Sequence, residues 1–273
     1  MDLVGTLGRV FTVGELLRQW RHRRGISPLD LAIAADVSAR HVSLVETGKS
    51  RPSAEMVLRL AEQLGVPLRD RNRLLLAAGH APRYGERPLD DDVLKQAIGR
   101  VLGAHEPFPA LAFDRSWNLV LANRAFGRFL DRVDPDLLRP PVNLLRLGLD
   151  PRGFAGMVVN LADVRAMFRA RVGRQLATAP DPDLAALFEE LLAAAPEGVA
   201  GPAADVVLPM VLRVDGRELR LFSTITTFGT PTDITLEEVA IESYYPADDE
   251  TATYFDVPAQ STSRPSTARG QVW

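Results

Sequence analysis

The feature that most constrains the fold is a pair of short helices predicted between residues 27 and 46. Ser27-Pro28 begins the first helix, because serine is a good N-cap and proline fits the first helical position. Asp36-Val37-Ser38 interrupts the pattern, and Ser38 caps a second helix whose Val42 and Val45 face the core. So short a turn holds two helices at a steep angle. The sequence therefore predicts a helix-turn-helix, whose second helix can enter the major groove of DNA.

Three further amphipathic helices surround this pair. One carries Val13, Leu17 and Trp20 on one stripe and ends at Gly25, a second opens at Pro52-Ser53, and a third runs from Pro67 to Gly79. We therefore predict an all-α helix-turn-helix bundle over residues 9–80. The stretch 81–89, with two prolines, a glycine and mixed charges, is predicted to be a linker.

The exposed positions on the second short helix and beside it are the candidates for contact with DNA. Arginine can pair with both acceptors of a guanine edge, and an apolar side chain can contact a thymine methyl group. Basic residues just after the helix suit phosphates, as does a helix N-terminus. The predicted DNA-binding residues are Ser27, Ser38, Ala39, Arg40, His41, Ser43, Leu44, Lys49 and Arg51.

The charge is unevenly divided along the chain, with a basic first part and an acidic second part. The formal net charge is −3, but residues 9–83 contain 13 Lys and Arg against 7 Asp and Glu. Residues 84–273 contain 19 against 27. A basic block beside an acidic one favours one domain that meets a polyanion and another that does not.

A set of spaced motifs carries a family resemblance over about 65 residues. They are Gly25-Ile26-Ser27, Leu31-Ala32, Val37-Ser38, Val42-Ser43, Glu46-Thr47-Gly48-Lys49 and Arg51-Pro52-Ser53. Together they resemble the lambda-repressor-like, XRE-type helix-turn-helix family. The resemblance implies that Glu46 ties the recognition helix to a basic residue of the first helix, for which we predict Arg18. Pro28 replaces a glutamine that often contacts the DNA backbone in that family, and Asp36 replaces a turn glycine.

The rest of the chain predicts an α+β domain with an antiparallel sheet, over residues 90–256. Ala110–Phe113 and Leu119–Ala122 are short apolar runs on either side of a polar turn, followed by a helix from Asn123 to Leu130. Residues 142–195 are mostly helical by period. Alternation from Val206, the turn signal Asp215-Gly216 and a third alternating run predict further strands. Residues 257–273 are rich in Ser, Thr, Pro and Arg, a composition typical of disorder.

A second resemblance concerns this domain. Asn123, Val158-Val159-Asn160, the run 228–233 and Tyr245-Pro246-Ala247-Asp248 make residues 90–255 resemble the MmyB-type ligand-binding domain, which is PAS-like and commonly follows an XRE-type reader. The resemblance implies a small-molecule effector, such as a fatty acid or an acyl derivative. The predicted ligand-binding residues are Leu144, Phe154, Met157, Asn160, Phe168 and Phe222, although each apolar one also suits an ordinary core.

Several function classes have no support in the sequence. There is no cysteine, and no histidine follows His105, so triad chemistry and a zinc site are not expected in the second domain. We find no phosphate-binding glycine motif, no secretory signal and no membrane-length apolar run. We expect a cytoplasmic protein that is not an enzyme and that needs no metal or cofactor.

The expected partners are double-stranded operator DNA, a second copy of the chain and a small-molecule effector. A single reader of this type buries little surface, which favours a homodimer on a pseudo-palindromic site. Two alternatives stay open. The second domain could serve only dimerisation or protein interaction, or the helical domain could be a protein-binding bundle that has lost DNA binding.

Overall fold

The structure is a computed structural model that describes residues 11–178, 181–193 and 207–256. The described chain divides into two compact units. The first contains residues up to Arg87 together with Thr230–Glu237, and the second contains Pro88–Gly229 together with the residues from Glu238 onward. The predicted tail 257–273, like Val206 at the start of a predicted strand, lies outside the described residues.

The N-terminal unit is the predicted helical bundle. Each of its first four helices begins at a hydroxyl side chain, Thr12, Ser27, Ser38 or Ser53, which accepts a hydrogen bond from an amide of the first turn. The helices are α1 (Val13–Arg23), α2 (Pro28–Ala34), α3 (Ala39–Glu46), α4 (Ala54–Gln63) and α5 (Leu68–Ala77).

The core of this unit is made by the apolar stripes of these helices. Leu17 and Trp20 of α1 meet Leu31 of α2 and Val42 and Val45 of α3, with α4 and α5 closing the other side. Helices α1 and α3 approach very closely at Gly14, where an added Cβ would lie 2.4 Å from the carbonyl oxygen of Val45. The position of α3 is therefore fixed by direct backbone packing.

The second unit combines helices with one sheet. Its strands are β1 (Ala110–Phe113), β2 (Leu119–Ala122), β3 (Met210–Val214), β4 (Arg217–Thr227) and β5 (Ala240–Pro246). The helices from Asp92 onward are α6 (Asp92–Ala104), α7 (Arg124–Leu130), α8 (Leu144–Leu149), α9 (Leu161–Thr178), α10 (Pro182–Ala193), α11 (Ile234–Glu238) and α12 (Asp249–Asp256). Among these helices, α11 belongs to the N-terminal unit except for its last residue, Glu238. In the part of the chain that the structure describes, no helix is long and apolar enough to cross a membrane.

The sheet is antiparallel throughout and has the strand order β2-β1-β5-β4-β3. This confirms the predicted α+β domain and its two hairpins. The turn between β3 and β4 is Asp215-Gly216, with φ angles of +50° and +77°. These are the left-handed values that a two-residue hairpin turn requires. The last of the described strands along the chain, β5, lies at the centre of the sheet.

Two helices of the second half were missed by the sequence prediction: α12, and a helix between β4 and β5, where only a turn was predicted. Residues Ile234–Glu238 form α11. Asp233 begins this helix, because its Oδ1 accepts hydrogen bonds from the amides of Thr235 and Leu236. Five residues are too few to give a helical period in the sequence.

Candidate functional site

The turn between α2 and α3 has the geometry that the sequence predicts. Asp36 adopts a φ of +52°, the left-handed conformation that aspartate tolerates better than most residues. The amide of Val37 then returns to the carbonyl of Ala32 at 2.9 Å. Ser38 begins α3 by accepting the amide of His41 at 3.1 Å. The two helices thus pack together as a helix-turn-helix.

The outer face of α3 presents several of the predicted DNA-binding side chains. Arg40 and Ser43 are exposed, while His41 and Leu44 are half-buried. Ala39 is half-buried and packs against the apolar core. Arg40 and Ser43 are therefore the members of this group that a base edge can reach with least rearrangement.

The hydroxyl groups of Ser27 and Ser38 are both used in capping. Ser27 Oγ accepts the amide of Asp30 at 3.1 Å and donates to the Asp30 carboxylate at 2.7 Å. The start of α2 thus presents a carboxylate beside Ser27, and Pro28 at the first helical position has no amide hydrogen to donate. Phosphate contact is less favourable at this end of α2 than at Lys49, since a carboxylate repels a phosphate.

Helix α3 is tied to α1 by a buried ion pair between Arg21 and Glu46, and not by Arg18 as predicted. Arg21 Nε and Nη2 donate to the two Glu46 carboxylate oxygens at 2.7 and 2.9 Å, and Nη1 donates to the carbonyl of Ile26 at 2.9 Å. Arg21 follows Leu17 by four residues, so it lies on the buried face of α1, whereas Arg18 points to solvent. The hydrogen bonds to Glu46 raise the pKa of Arg21.

Two predicted phosphate contacts follow α3 in the chain. Gly48, with a φ of +71°, ends the helix, and both Lys49 and Arg51 are exposed. The guanidinium of Arg51 lies against Gly79, where an added Cβ would be 2.9 Å from Nη2. Lys49 and Arg51 place two cations on the C-terminal side of the recognition helix.

The second unit contains an apolar cavity of about 50 Å³. This volume exceeds what one water molecule needs. The wall is formed by residues from the sheet and from the helices α7, α8 and α9: Pro109, Leu111, Trp117, Phe126, Phe129, Leu144, Gly148, Phe154, Val158, Val164, Phe168, Met210, Leu212, Leu221, Glu242 and Tyr244. All but two of these offer mainly apolar surface, so the cavity suits an apolar molecule.

The polar part of the wall is a buried cluster on β5. Glu242 is 4% exposed, and its carboxylate accepts both terminal nitrogens of Arg171 at 3.0 and 3.2 Å and the hydroxyl of Ser223 at 2.6 Å. The Arg171 guanidinium lies 4.8 Å from the ring centre of Trp117. Burial raises the pKa of Tyr244 well above its ordinary value, and the Glu242 charge raises it further.

The predicted ligand-binding residues fall into two groups. Leu144, Phe154 and Phe168 lie in the cavity wall, and Met157, Asn160 and Phe222 do not. Asn160 ties α9 to β3, because it accepts the amide of Val211 at 2.9 Å and donates to the carbonyl of Pro209. Phe222 stacks on Tyr245, with ring centres 5.4 Å apart.

The charged residue of the cavity wall, Glu242, was missed in the sequence. One signal could have identified Glu242: it is the only charged residue in the apolar run from Val239 to Tyr245. A lone carboxylate in the middle of a buried strand usually has a partner. Its partner Arg171 is 71 residues away in the chain, and no local pattern connects the two.

Comparison with known proteins identifies both units. A helix-turn-helix domain model matches residues 12–74, and the model described as "MmyB-like transcription regulator ligand binding domain" matches residues 94–256. The two matches define a transcription regulator with a DNA-binding domain and a ligand-binding domain. Because the second match covers more than half of the chain, the protein belongs to the family of MmyB-like transcription regulators.

The solved structures that match include one gene regulator. The crystal structure of the clp gene regulator ClgR from C. glutamicum is 30% identical, and the similarity covers 24% of this chain and 83% of that chain, with a TM-score of 0.22. The comparison with curated proteins gave no match.

Proposed function

We propose that the protein is a sequence-specific regulator of the XRE type, in which a small, largely apolar ligand changes the affinity for operator DNA. The observation that carries the proposal is the combination of an exposed face on α3 in the first unit with an apolar cavity in the second. The first can read base edges, and the second can enclose an effector.

In the proposed complex, Arg40 and Ser43 contact base edges and Lys49 and Arg51 contact phosphates. All four side chains are exposed, and the position of α3 is fixed by the Arg21–Glu46 ion pair. A homodimer would place two such helices on half-sites one helical turn of DNA apart, which matches the pseudo-palindromic operators of this motif.

The ligand is proposed to be a fatty acid or an acyl derivative in the PAS-like second domain. The cavity wall supports an acyl body, because Phe154, Phe168 and Leu212 supply apolar contact. The buried carboxylate of Glu242 is already paired with Arg171, so the cluster carries no net charge. A ligand carboxylate placed beside it would meet like charge at low dielectric. We therefore place the charged end of a fatty acid away from Glu242.

We further propose a cytoplasmic location and no catalytic role. In the described residues, no group of histidine and acidic side chains is placed to hold a metal ion. The buried carboxylate Glu242 is held by Arg171 and Ser223, an arrangement that supports a structural function for this group.

The deciding experiment is a titration of the full chain into labelled DNA from upstream of its own gene, beside a scrambled sequence. We expect preference for the native DNA and an affinity that falls as salt rises. Arg40→Ala should cost about 1–3 kcal/mol on the native site and little on the scrambled one. Arg128→Ala, an exposed arginine on α7, is the matched control and should leave both affinities unchanged. Equal loss on both DNAs would make Arg40 a phosphate contact instead of a base reader.

A further inference from the structure

The N-terminal unit contains one short segment from far along the sequence. Residues Thr230–Glu237 belong to this unit, although they lie between β4 and β5 in the chain. Both flanking strands belong to the sheet that lines the ligand cavity, through Leu221 of β4 and Glu242 and Tyr244 of β5. The segment is therefore covalently continuous with the cavity wall at each of its ends.

The start of the segment is fastened to residues 85–87. Asp233 forms an isolated parallel bridge with Gly85, and the amide of Ile234 donates to the Gly85 carbonyl at 2.9 Å. The Asp233 carboxylate accepts the amide of Arg87 at 3.2 Å, and the Thr235 hydroxyl donates to the Arg87 carbonyl. Ile234 and Thr235 are both buried. Backbone bonds with buried side chains make a firm attachment, not a loose surface contact.

The end of the segment completes a helix of the DNA-binding unit. Helix α5 follows Pro67, which has no side chain to cap it, unlike the hydroxyl residues before α1 to α4. Glu237 fills this place, because its Oε2 accepts the amide of Leu68 at 2.7 Å from 169 residues away. A carboxylate at a helix N-terminus satisfies an otherwise unpaired amide and complements the helix dipole.

We propose that Glu237 is the positioning residue through which the ligand domain acts on the DNA-binding unit. Glu237 caps α5, and Glu242 stands in the cavity wall only five residues later in the chain. A ligand that shifts β5 therefore shifts the residue that holds the start of α5, and α5 contacts α1, the helix that carries Arg21. This inference rests on the proposed function, since it names the route by which the ligand changes DNA affinity.

The test measures the operator affinity of the full chain with and without dodecanoic acid, for the native protein and three variants. In Glu237→Ala the cap is removed, so the ratio of the two affinities should fall from roughly 5-fold or more to near one. Glu237→Gln keeps a carbonyl oxygen that can accept the Leu68 amide, and it should preserve most of the ratio. Glu55→Ala removes an acidic residue from the first turn of α4, which Ser53 already caps, and it should behave as the native protein. An unchanged ratio in Glu237→Ala would overturn the proposal.

A second readout needs no ligand and separates this inference from the proposed function. Coupling is reciprocal, so operator DNA should alter the amide hydrogen exchange of β5 in the native protein and in Glu237→Gln, but not in Glu237→Ala. If dodecanoic acid leaves the DNA affinity of the native protein unchanged, the proposed effector fails while this readout still decides the coupling. Equal exchange changes in all three proteins, or none in the native one, would overturn the role of Glu237.

Discussion

Among the described residues, each unit contains a buried arginine–glutamate ion pair, and the two pairs have different roles. Arg21–Glu46 joins two helices of the DNA-binding unit and orients an exposed surface. Arg171–Glu242 joins a helix to the central strand of the sheet, and its Glu242 forms part of the cavity wall. The first pair lies within the helical bundle, and the carboxylate of the second pair lines the proposed ligand cavity. The same chemistry thus orients an exposed surface in one unit and supports a cavity wall in the other.

The units also differ in how their helices begin. The caps of α1 to α4 are the hydroxyl groups of threonine and serine, which do not titrate. The second unit uses Asp91, Asn123, Asn143 and Asp248, so two of these caps are carboxylates. Acid should therefore weaken the cap at Asp248, whose pKa is lowered by hydrogen bonds from Thr251, and leave the four hydroxyl caps of α1 to α4 intact.

The largest loss of stability is expected from breaking the Arg21–Glu46 ion pair of the DNA-binding unit. Glu46→Ala leaves the Arg21 guanidinium buried without its partner, which should cost about 3–5 kcal/mol of stability. Amide hydrogen exchange across α3 would measure it, and DNA binding should fall in parallel because α3 loses its tie to α1. Arg18→Ala is the matched control and should change stability by no more than about 0.5 kcal/mol. Equal, small costs for both variants would contradict the assignment of Arg21.

A smaller effect is expected at the cavity wall. Glu242→Gln keeps an acceptor for Arg171 and Ser223 but removes the charge, so we expect a loss of about 1–3 kcal/mol in the unfolding free energy of the second unit. Glu218→Gln breaks an exposed ion pair with Arg213 in the same sheet and should cost about 0–1 kcal/mol. Urea unfolding of the full chain, with the amide hydrogen exchange of β5 as the readout, would distinguish the cost of Glu242→Gln from that of Glu218→Gln. Equal costs would show that burial adds nothing to the Arg171–Glu242 pair.

The smallest effect concerns the stability of the second unit at low pH. Hydrogen bonds from Thr251 hold the pKa of Asp248 below its ordinary value, so this carboxylate stabilises the folded unit above about pH 3.8 and loses that contribution as the pH falls further. Asp248→Asn should cost at most about 1 kcal/mol at neutral pH, since asparagine also caps. It should also flatten the acid limb of a stability–pH curve of the second unit. Asp249→Asn, one residue later, serves as the control. If Asp248→Asn leaves the curve unchanged, the Asp248 carboxylate does not contribute to the loss of stability in acid.

The parts of the fold that sequence predicts well are those set by neighbouring residues. Ser27, Ser38 and Asp36 mark the helix-turn-helix, because capping and a left-handed turn depend on single side chains and their own backbone. The Asp215-Gly216 hairpin is confirmed for the same reason. Helical period also predicts the exposure of Arg40 and Ser43 on α3, but it places Ala39, His41 and Leu44 there as well, and these three are half-buried.

The remaining features depend on pairs that lie far apart in the chain. Arg18 and Arg21 are both basic residues of α1, and only the packing of α1 on α3 decides which of them meets Glu46. The cavity wall requires Arg171 to reach β5, and the cap of α5 requires Glu237 to reach Leu68. No periodicity within a window of a dozen residues contains this information.

The strand order has a consequence for the time at which the protein becomes complete. The hairpins β1–β2 and β3–β4 join only through β5, which is the last of the described strands to leave the ribosome. The short segment that caps α5 also emerges late, just before β5. A nascent chain released early would therefore have an incomplete sheet and a DNA-binding unit in which α5 lacks its cap. The order of synthesis thus favours completion of the DNA-binding unit together with the ligand-binding unit.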